Sequence, residues 1–125
     1  MQTWVTNLFT AWQDGDSSQA AALFTPDAVY RHHPFRPPLQ GRVAIADYWE
    51  RAVAGQADLD WHVGSPVVDG DRAAVEWWVS LSEEGSASVS TGTLFLTFSD
   101  GLCSGLREVW AEQAGSAPPY EEWGE

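Results

Sequence analysis

Four strand-like runs separated by three turn signals fill the second half of the chain, and this pattern limits the possible folds more than any other feature. The turn signals are "DGD" at 69–71, "SEEG" at 82–85 and "SDG" at 99–101. Turns rich in Gly and Asp between apolar runs are typical of hairpins. The runs between them predict four sequential strands in an antiparallel meander, at about residues 58–68, 72–82, 87–98 and 102–113.

Apolar residues recur at helical spacing in the first half of the chain. They predict helices over residues 3–14, 17–24 and 42–54, and "DSSQ" at 16–19 is typical of a capped helix start. A strand at 28–33 precedes the third helix, and "RPPLQG" between them predicts a rigid loop. The expected fold is therefore α+β, with three helices packed on a curved sheet. Long strands that coil around a helix fill only part of the concave face, so a pocket is expected there.

Charge and length narrow the class of protein. With 125 residues the chain is expected to form one domain over 1–115, and the tail "SAPPYEEWGE" at 116–125 is expected to be a loose extension. The 18 acidic residues outweigh six arginines, and the net charge of −12 disfavours binding to nucleic acid or to anionic membranes. Cys103 is the single cysteine and is expected to be a plain buried thiol. The first residues resemble neither a signal peptide nor a membrane span, which favours a cytoplasmic protein.

Two of the three histidines stand side by side in "VYRHHPFRPPLQG" at 29–41. Neighbouring strand residues point to opposite faces, so either His32 or His33 is expected to face the pocket. Imidazole titrates near neutrality, which suits a general base or a hydrogen-bonding anchor for a ligand. The alternative is a histidine that only fixes the loop through the backbone.

Glu108 falls between Leu106 and Trp110 on the expected concave face of the last strand. A buried carboxylate needs a partner, and the histidines or Arg31 are the candidates. A His–Glu pair could move a proton. A salt bridge without catalysis and an outward-facing Glu108 on a bulged strand are equally open alternatives.

Aromatic residues are numerous, with eight Trp. Tyr30, Trp12, Trp49 and Trp61 are candidate walls of the pocket, although each could equally be ordinary core. Trp77 and Trp78 are adjacent on one strand and must face opposite ways, so one of them needs a cover. A second subunit is the expected cover, which predicts a homodimer.

His32, His33 and His62 are the candidate histidine ligands for a metal ion. Adjacent strand histidines cannot easily reach one ion, and the chain has neither HxH nor HExxH spacing. No metal site and no cofactor are therefore expected.

The order of elements resembles the cone-shaped α+β fold of the nuclear transport factor 2-like superfamily. Within it, "LFTPDAVYRHHPFRPPLQGRVAIADYW" is similar to the helix-to-strand junction and Pro-containing loop of the SnoaL-like branch, and "SDGLCSGLREVW" to its last hairpin. The resemblance covers almost the whole chain, including the "W-x-x-GD" end of the first helix. It implies a small-molecule pocket, but the superfamily contains isomerases, cyclases, hydrolases, dehydratases and binding modules.

The ketosteroid isomerase-like enzymes of this superfamily allow a residue-by-residue comparison. Their general-base Asp stands just before a Pro, where this chain has His33, or His32 if residues are counted from Asp27. Their first-helix Tyr is missing, and their second Asp corresponds to a position near Leu94, so steroid-type isomerisation is not expected. Trp110 matches an aromatic that lines their pocket.

The resulting hypothesis is a SnoaL-like protein that holds an apolar aromatic or polycyclic small molecule. Catalysis would be acid–base work such as cyclisation, isomerisation or hydration, with His32 or His33 as base and Glu108 as partner. The alternative is a binding or dimerisation module without catalysis. Convergence of a histidine and Glu108 in one closed cavity would favour the enzyme.

Overall fold

The computed structural model describes residues 2–125, which form an α+β domain. Its three helices and seven strands run in the order α1 Gln2–Asp14, α2 Ser17–Ala21, β1 Phe24–Arg31, β2 Leu39–Gln40, α3 Arg42–Val53, β3 Gln56–Val63, β4 Val67–Asp69, β5 Arg72–Glu83, β6 Ser86–Ser99 and β7 Leu102–Ala114. The strands make one sheet in the order β2-β1-β7-β6-β5-β3, with β4 also on β5. Every pair is antiparallel except β1–β7, which is parallel. Across residues 2–125, no helix has both the length and the apolar character needed to cross a membrane.

The predicted α+β class and the antiparallel meander are confirmed, while several boundaries were wrong. The second helix ends at Ala21 rather than 24, and β1 covers Phe24–Arg31 rather than 28–33. The expected single strand at 58–68 is split into β3 and β4, because Pro66 has no amide to donate to the ladder. The "RPPLQG" loop contains the short strand β2, which pairs with β1.

The core lies between the helices and the inner face of the sheet. The α1 helix buries Trp4, Val5, Leu8 and Phe9, as its apolar spacing predicts. The alternate residues of β5 predicted as one apolar face are all buried, namely Ala73, Val75, Trp77, Val79 and Leu81. The Asp16 side chain accepts from the amide of Gln19 at 3.0 Å, which is the predicted helix cap. The buried residues of α1 and β5 belong to this one core.

A glycine in the middle of β6 permits close approach of the neighbouring strand. Gly92 is paired with Trp110 of β7, and a Cβ at Gly92 would collide with Trp110 and with the carbonyl oxygen of Val109. A glycine inside a long strand commonly marks a bend or a close approach of this kind. Only glycine therefore fits at position 92 of β6, directly opposite Trp110 of β7.

The C-terminal tail, residues 116–125, covers the outer face of the sheet at Trp78. The indole of Trp78 donates to the carbonyl oxygen of Ala117 at 2.9 Å, and it packs edge-to-face with Tyr120 and Trp123. The amide of Ser65 donates to the carbonyl oxygen of Gly124 at 2.8 Å. The expectation of a loose extension was wrong, because isolated aromatic contacts can order a segment that has no periodicity. The tail of the same chain thus covers Trp78, the residue for which the sequence predicted cover by a second subunit.

We predict that Trp123→Ala destabilises the protein more than Tyr120→Ala. Trp123 is half-buried against Trp78 whereas Tyr120 is 65% exposed. Loss of the Trp123 ring should lower the free energy of unfolding by roughly 1–3 kcal/mol, and loss of Tyr120 by less than about 1 kcal/mol. Urea denaturation of the two variants measures both values. Two equal and negligible effects would show that the tail does not stabilise the sheet.

Candidate functional site

A cavity of about 150 Å³ lies between the helices and the inner face of the sheet. A dry cavity of this volume accommodates a benzene-sized molecule. Most of its walls are aromatic or aliphatic, and a few polar side chains reach it from β3, β5, β6 and β7. Its lining residues are Leu8, Phe9, Trp12, Tyr30, Tyr48, Trp49, Ala52, Val53, Gln56, Trp77, Leu81, Glu83, Ser88, Ser90, Leu94, Glu108, Trp110 and Glu112.

Trp12 organises the aromatic walls. Its ring meets Trp49 at 5.6 Å and 83° and Trp77 at 6.0 Å and 66°, which are edge-to-face arrangements. Its indole nitrogen donates to the side-chain oxygen of Gln56 at 2.8 Å. Such contacts are favourable beyond the area that they bury. The planes of Trp49 and Trp77 are therefore each steeply inclined to the plane of Trp12.

Glu108 supplies the carboxyl group at the inner face of β7. It is paired with Leu94 of β6, and the hydroxyl of Tyr30 donates to its Oε1 at 3.2 Å. Burial raises the pKa of Glu108 to about 7, and the bond from Tyr30 opposes that rise. A carboxyl group with such a pKa exchanges its proton near neutral pH, as an acid–base catalyst requires.

Two tyrosines border this carboxyl group. Burial, and next the charge of Glu108, raise the pKa of Tyr30 well above its usual value. The same two causes, in the same order, raise the pKa of Tyr48 to about 12. Both phenols are therefore neutral hydrogen-bond donors at physiological pH.

The adjacent histidines lie in a bend beyond the end of β1, not on the strand itself. The His32 ring stacks on Tyr48 at 4.6 Å, and its carbonyl oxygen accepts from the indole of Trp110 at 3.2 Å. The Nδ1 of His33 accepts from the amide of Phe35 at 3.1 Å. Neither imidazole is among the residues that line the cavity. His32 thus contacts two lining residues, while His33 fixes the loop.

The expected partner of Glu108 was a histidine or Arg31, but the structure gives Tyr30 instead. Burial, followed by the charge of Arg36, lowers the pKa of His32. Its imidazole is therefore neutral at pH 7 and offers no positive charge to a carboxylate. Arg31 lies beside Arg107 in the register of the parallel strands β1 and β7, and it is exposed.

Four of the five residues predicted as walls do line the cavity, namely Tyr30, Trp12, Trp49 and Trp110. Trp61 does not; it packs on Phe9 at 5.6 Å and donates to Gln13. Sequence reasoning missed Tyr48, Glu83 and Glu112 as lining residues. The spacing of Glu108, Trp110 and Glu112 at alternate positions of one strand could have revealed the last of these.

Two buried indoles in the walls lack a partner within the protein. The Nε1 atoms of Trp49 and Trp77 have no hydrogen-bond acceptor among the described side chains and backbone. An unpaired buried donor costs roughly 1–3 kcal/mol.

In the described part of the chain, no group of three or more His, Cys, Asp or Glu residues could hold a metal ion.

Comparison with known proteins assigns the chain to a class and then to a family. The class is the cone-shaped α+β fold with a pocket between helices and sheet. A model of the SnoaL-like domain matches residues 5–106, and the chain belongs to the SnoaL-like family, as its motifs predict. Among curated protein sequences, none matches this chain.

Three solved structures illustrate the relationship. A candidate polyketide cyclase from Sinorhizobium meliloti is 30% identical, with a TM-score of 0.69 over 86% of this chain and 94% of that one. SalBIII, an epoxide hydrolase/cyclase-like enzyme with a role in pyran ring formation in the polyether salinomycin, is 17% identical, with a TM-score of 0.79 over 91% and 95%. A protein from Catenulispora acidiphila with a ketosteroid isomerase-like fold, in complex with trimethylamine, is 18% identical, with a TM-score of 0.76 over 85% and 83%. The latter two similarities establish the fold.

We predict that Glu108→Gln stabilises the protein at high pH and not at low pH. The usual carboxyl pKa of 4.5 rises to about 7 in the folded state, so wild-type stability falls as pH rises through this interval. Gln cannot ionise and retains an oxygen for Tyr30. Its advantage should be near zero at pH 4 and roughly 1–3 kcal/mol at pH 8.

Urea denaturation at both pH values measures this difference. Glu50→Gln, an exposed substitution on α3, is the control and should show no comparable pH dependence. An unchanged advantage of Glu108→Gln from pH 4 to pH 8 would show that the folded protein does not perturb Glu108.

Proposed function

We propose that this protein is a small-molecule enzyme in which Glu108 transfers a proton to or from a ligand held in the aromatic cavity. The observation that carries the proposal is the placement of this carboxyl group, which faces the cavity and accepts from Tyr30 at 3.2 Å. Burial raises its pKa to about 7, so both protonation states are populated near neutral pH. Isomerisation, cyclisation and hydration all need such a group.

The division of roles follows from the contacts. Glu108 would take up or release the proton, and Tyr30 would hold the carboxyl group in one orientation. The phenol of Tyr48, with a pKa of about 12, would donate a hydrogen bond to an oxygen of the substrate. His32, predicted as a base, would act as a positioning residue, because its ring stacks on Tyr48 and its carbonyl oxygen binds the indole of Trp110.

The size of the cavity restricts the ligand. A volume of about 150 Å³ encloses roughly a single ring, so a ligand with more than one ring, as also considered from sequence, would extend beyond it. The named roles of the relatives in polyketide and polyether chemistry support ring-forming or ring-opening reactions. The trimethylamine complex of the Catenulispora protein supports a small ligand.

A binding module without catalysis is the second candidate. The absence of both His32 and His33 from the cavity lining favours it, because the predicted His–Glu pair does not converge there. The two candidates make different predictions about proton transfer.

Proton transfer can be tested with 5-nitrobenzisoxazole, a small bicyclic compound that opens when a base removes one carbon-bound proton. We predict that the wild-type protein accelerates this reaction and that the rate rises with pH around a midpoint of about 7, as Glu108 ionises. Glu108→Gln should lower the rate roughly 100- to 10,000-fold. Glu112→Gln, which alters a carboxylate at another point of the lining, is the matched control and should retain most of the rate.

Binding of the compound should be measured on the same variants. Unchanged affinity with a lost rate would identify Glu108 as the base. Tight binding of the compound by the wild-type protein without any acceleration would favour the binding module.

We also propose that the chain forms a homodimer through the outer face of its sheet. Support comes from exposed apolar side chains there, since Phe95, Val109 and Val67 are 39%, 51% and 72% exposed. The guanidinium of Arg107 lies 5.3 Å from the centre of the Phe95 ring. This surface is separate from Trp78, which the tail covers.

Sedimentation at micromolar concentration should give the mass of a dimer, and Val109→Glu should give a monomer because it places charge in the apolar face. Ser99→Glu, at the exposed end of β6, is the control for added charge. A wild-type protein that sediments as a monomer would contradict this proposal.

A further inference from the structure

The cavity carries acidic groups without any basic one. Glu108 faces its interior, and Glu83 and Glu112 are exposed at positions where the strands β5 and β7 border it. Among the described lining residues there is no Arg, Lys or His. The whole chain has a net charge of −12, and Arg36, whose charge acts on Tyr48, is not itself among the lining residues. An anionic ligand would meet repulsion throughout its approach.

The remaining walls add electron-rich surfaces. Seven aromatic side chains line the cavity: Phe9, Trp12, Tyr30, Tyr48, Trp49, Trp77 and Trp110. The faces of aromatic rings attract cations, most strongly those of Trp and Tyr. Trp49 and Trp77 each meet Trp12 edge-to-face, so differently oriented rings enclose the same space. Aromatic cages that bind ammonium groups likewise place several rings around one space.

These two features together identify one class of ligand. A neutral hydrocarbon would use the rings but not the carboxylates, and an aromatic anion would use the rings but be repelled by the carboxylates. We infer that the pocket selects a small organic cation, a protonated or quaternary nitrogen on an apolar body about the size of one ring. This inference rests on the proposed use of the cavity as a ligand site, and it assigns the charge of the ligand.

The cation and the proton of Glu108 should compete. The other ionisable residues that line the cavity are Tyr30 from β1, Tyr48 from α3, Glu83 from β5 and Glu112 from β7, while α1 and β6 contribute none. Arg36 lies outside the lining, but its charge opposes the rise in the pKa of Tyr48. Both phenols remain neutral over the tested pH range because their pKa values are raised. A bound cation favours the ionised form of Glu108, so its affinity should rise with pH through about 7.

Three ligands of similar shape test the charge preference on the full chain: N-methylpyridinium, toluene and benzoate. The first two have nearly the same size and differ by one permanent charge, so the ligand itself does not titrate. Dissociation constants can be measured by NMR titration at pH 6 and pH 8 in about 0.15 M salt, where long-range effects of net charge are screened. We expect N-methylpyridinium to bind at least about tenfold more tightly than toluene at pH 8, with a smaller ratio at pH 6, and benzoate to bind most weakly.

Glu108→Gln should lower the affinity for N-methylpyridinium about tenfold at pH 8, abolish its pH dependence and leave toluene binding nearly unchanged. Glu50→Gln removes the same charge from an exposed position on α3 outside the cavity, and should change neither affinity. Equal or tighter binding of toluene, or preference for benzoate, would overturn the cation preference while leaving the cavity as a ligand site. If none of the three binds, both the cation preference and the use of the cavity fail. If N-methylpyridinium binds as expected but the wild-type protein does not accelerate proton transfer, only the proposed catalysis is contradicted.

Discussion

The site depends on the register between β6 and β7. In that register Leu94 faces Glu108, Gly92 faces Trp110 and Ser90 faces Glu112. Because side chains alternate along a strand, a shift of one residue would move Glu108 and Trp110 to the outer face. The shift would also place a side chain where only Gly92 permits the approach of Trp110. Formation of the pocket and positioning of its carboxyl group are therefore consequences of the same pairing.

The helices α1 and α3 cover the inner face of the sheet with apolar side chains. The α1 helix contributes Phe9 and Trp12, and α3 contributes Tyr48 and Trp49, so aromatic rings lie over the strands. Removal of water from a carboxyl group disfavours its charged form, and this accounts for the raised pKa of Glu108. A single hydrogen bond from Tyr30 offsets part of that effect. The same rings that perturb the carboxyl group also provide surfaces that a cation prefers.

The segment after β1 links the helices to the sheet. His32 contacts Tyr48 through its ring and Trp110 through its carbonyl oxygen, and these residues belong to α3 and β7. Its neighbour His33 binds the amide of Phe35 and stabilises the bend. His32 thus connects two walls of the pocket while His33 fixes the loop, which differs from the strand alternation expected from sequence. The chain leaves the strand at Arg31, and residues in a bend do not follow a period of two.

The sequence alone determined the fold class, the meander and the inward-facing residues of β5, since turn residues and apolar periodicity are local properties of the chain. The family motifs and the placement of Glu108 beside Trp110 were also readable, because they depend on neighbours along one strand. Tertiary structure decided the partner of Glu108, which lies 78 positions away at Tyr30 and adjoins it only because β1 pairs in parallel with β7. It also decided that the tail covers Trp78 and that Trp61 lies outside the cavity. These outcomes depend on which surfaces meet in three dimensions, and residue spacing along the chain carries no information about contacts between distant segments.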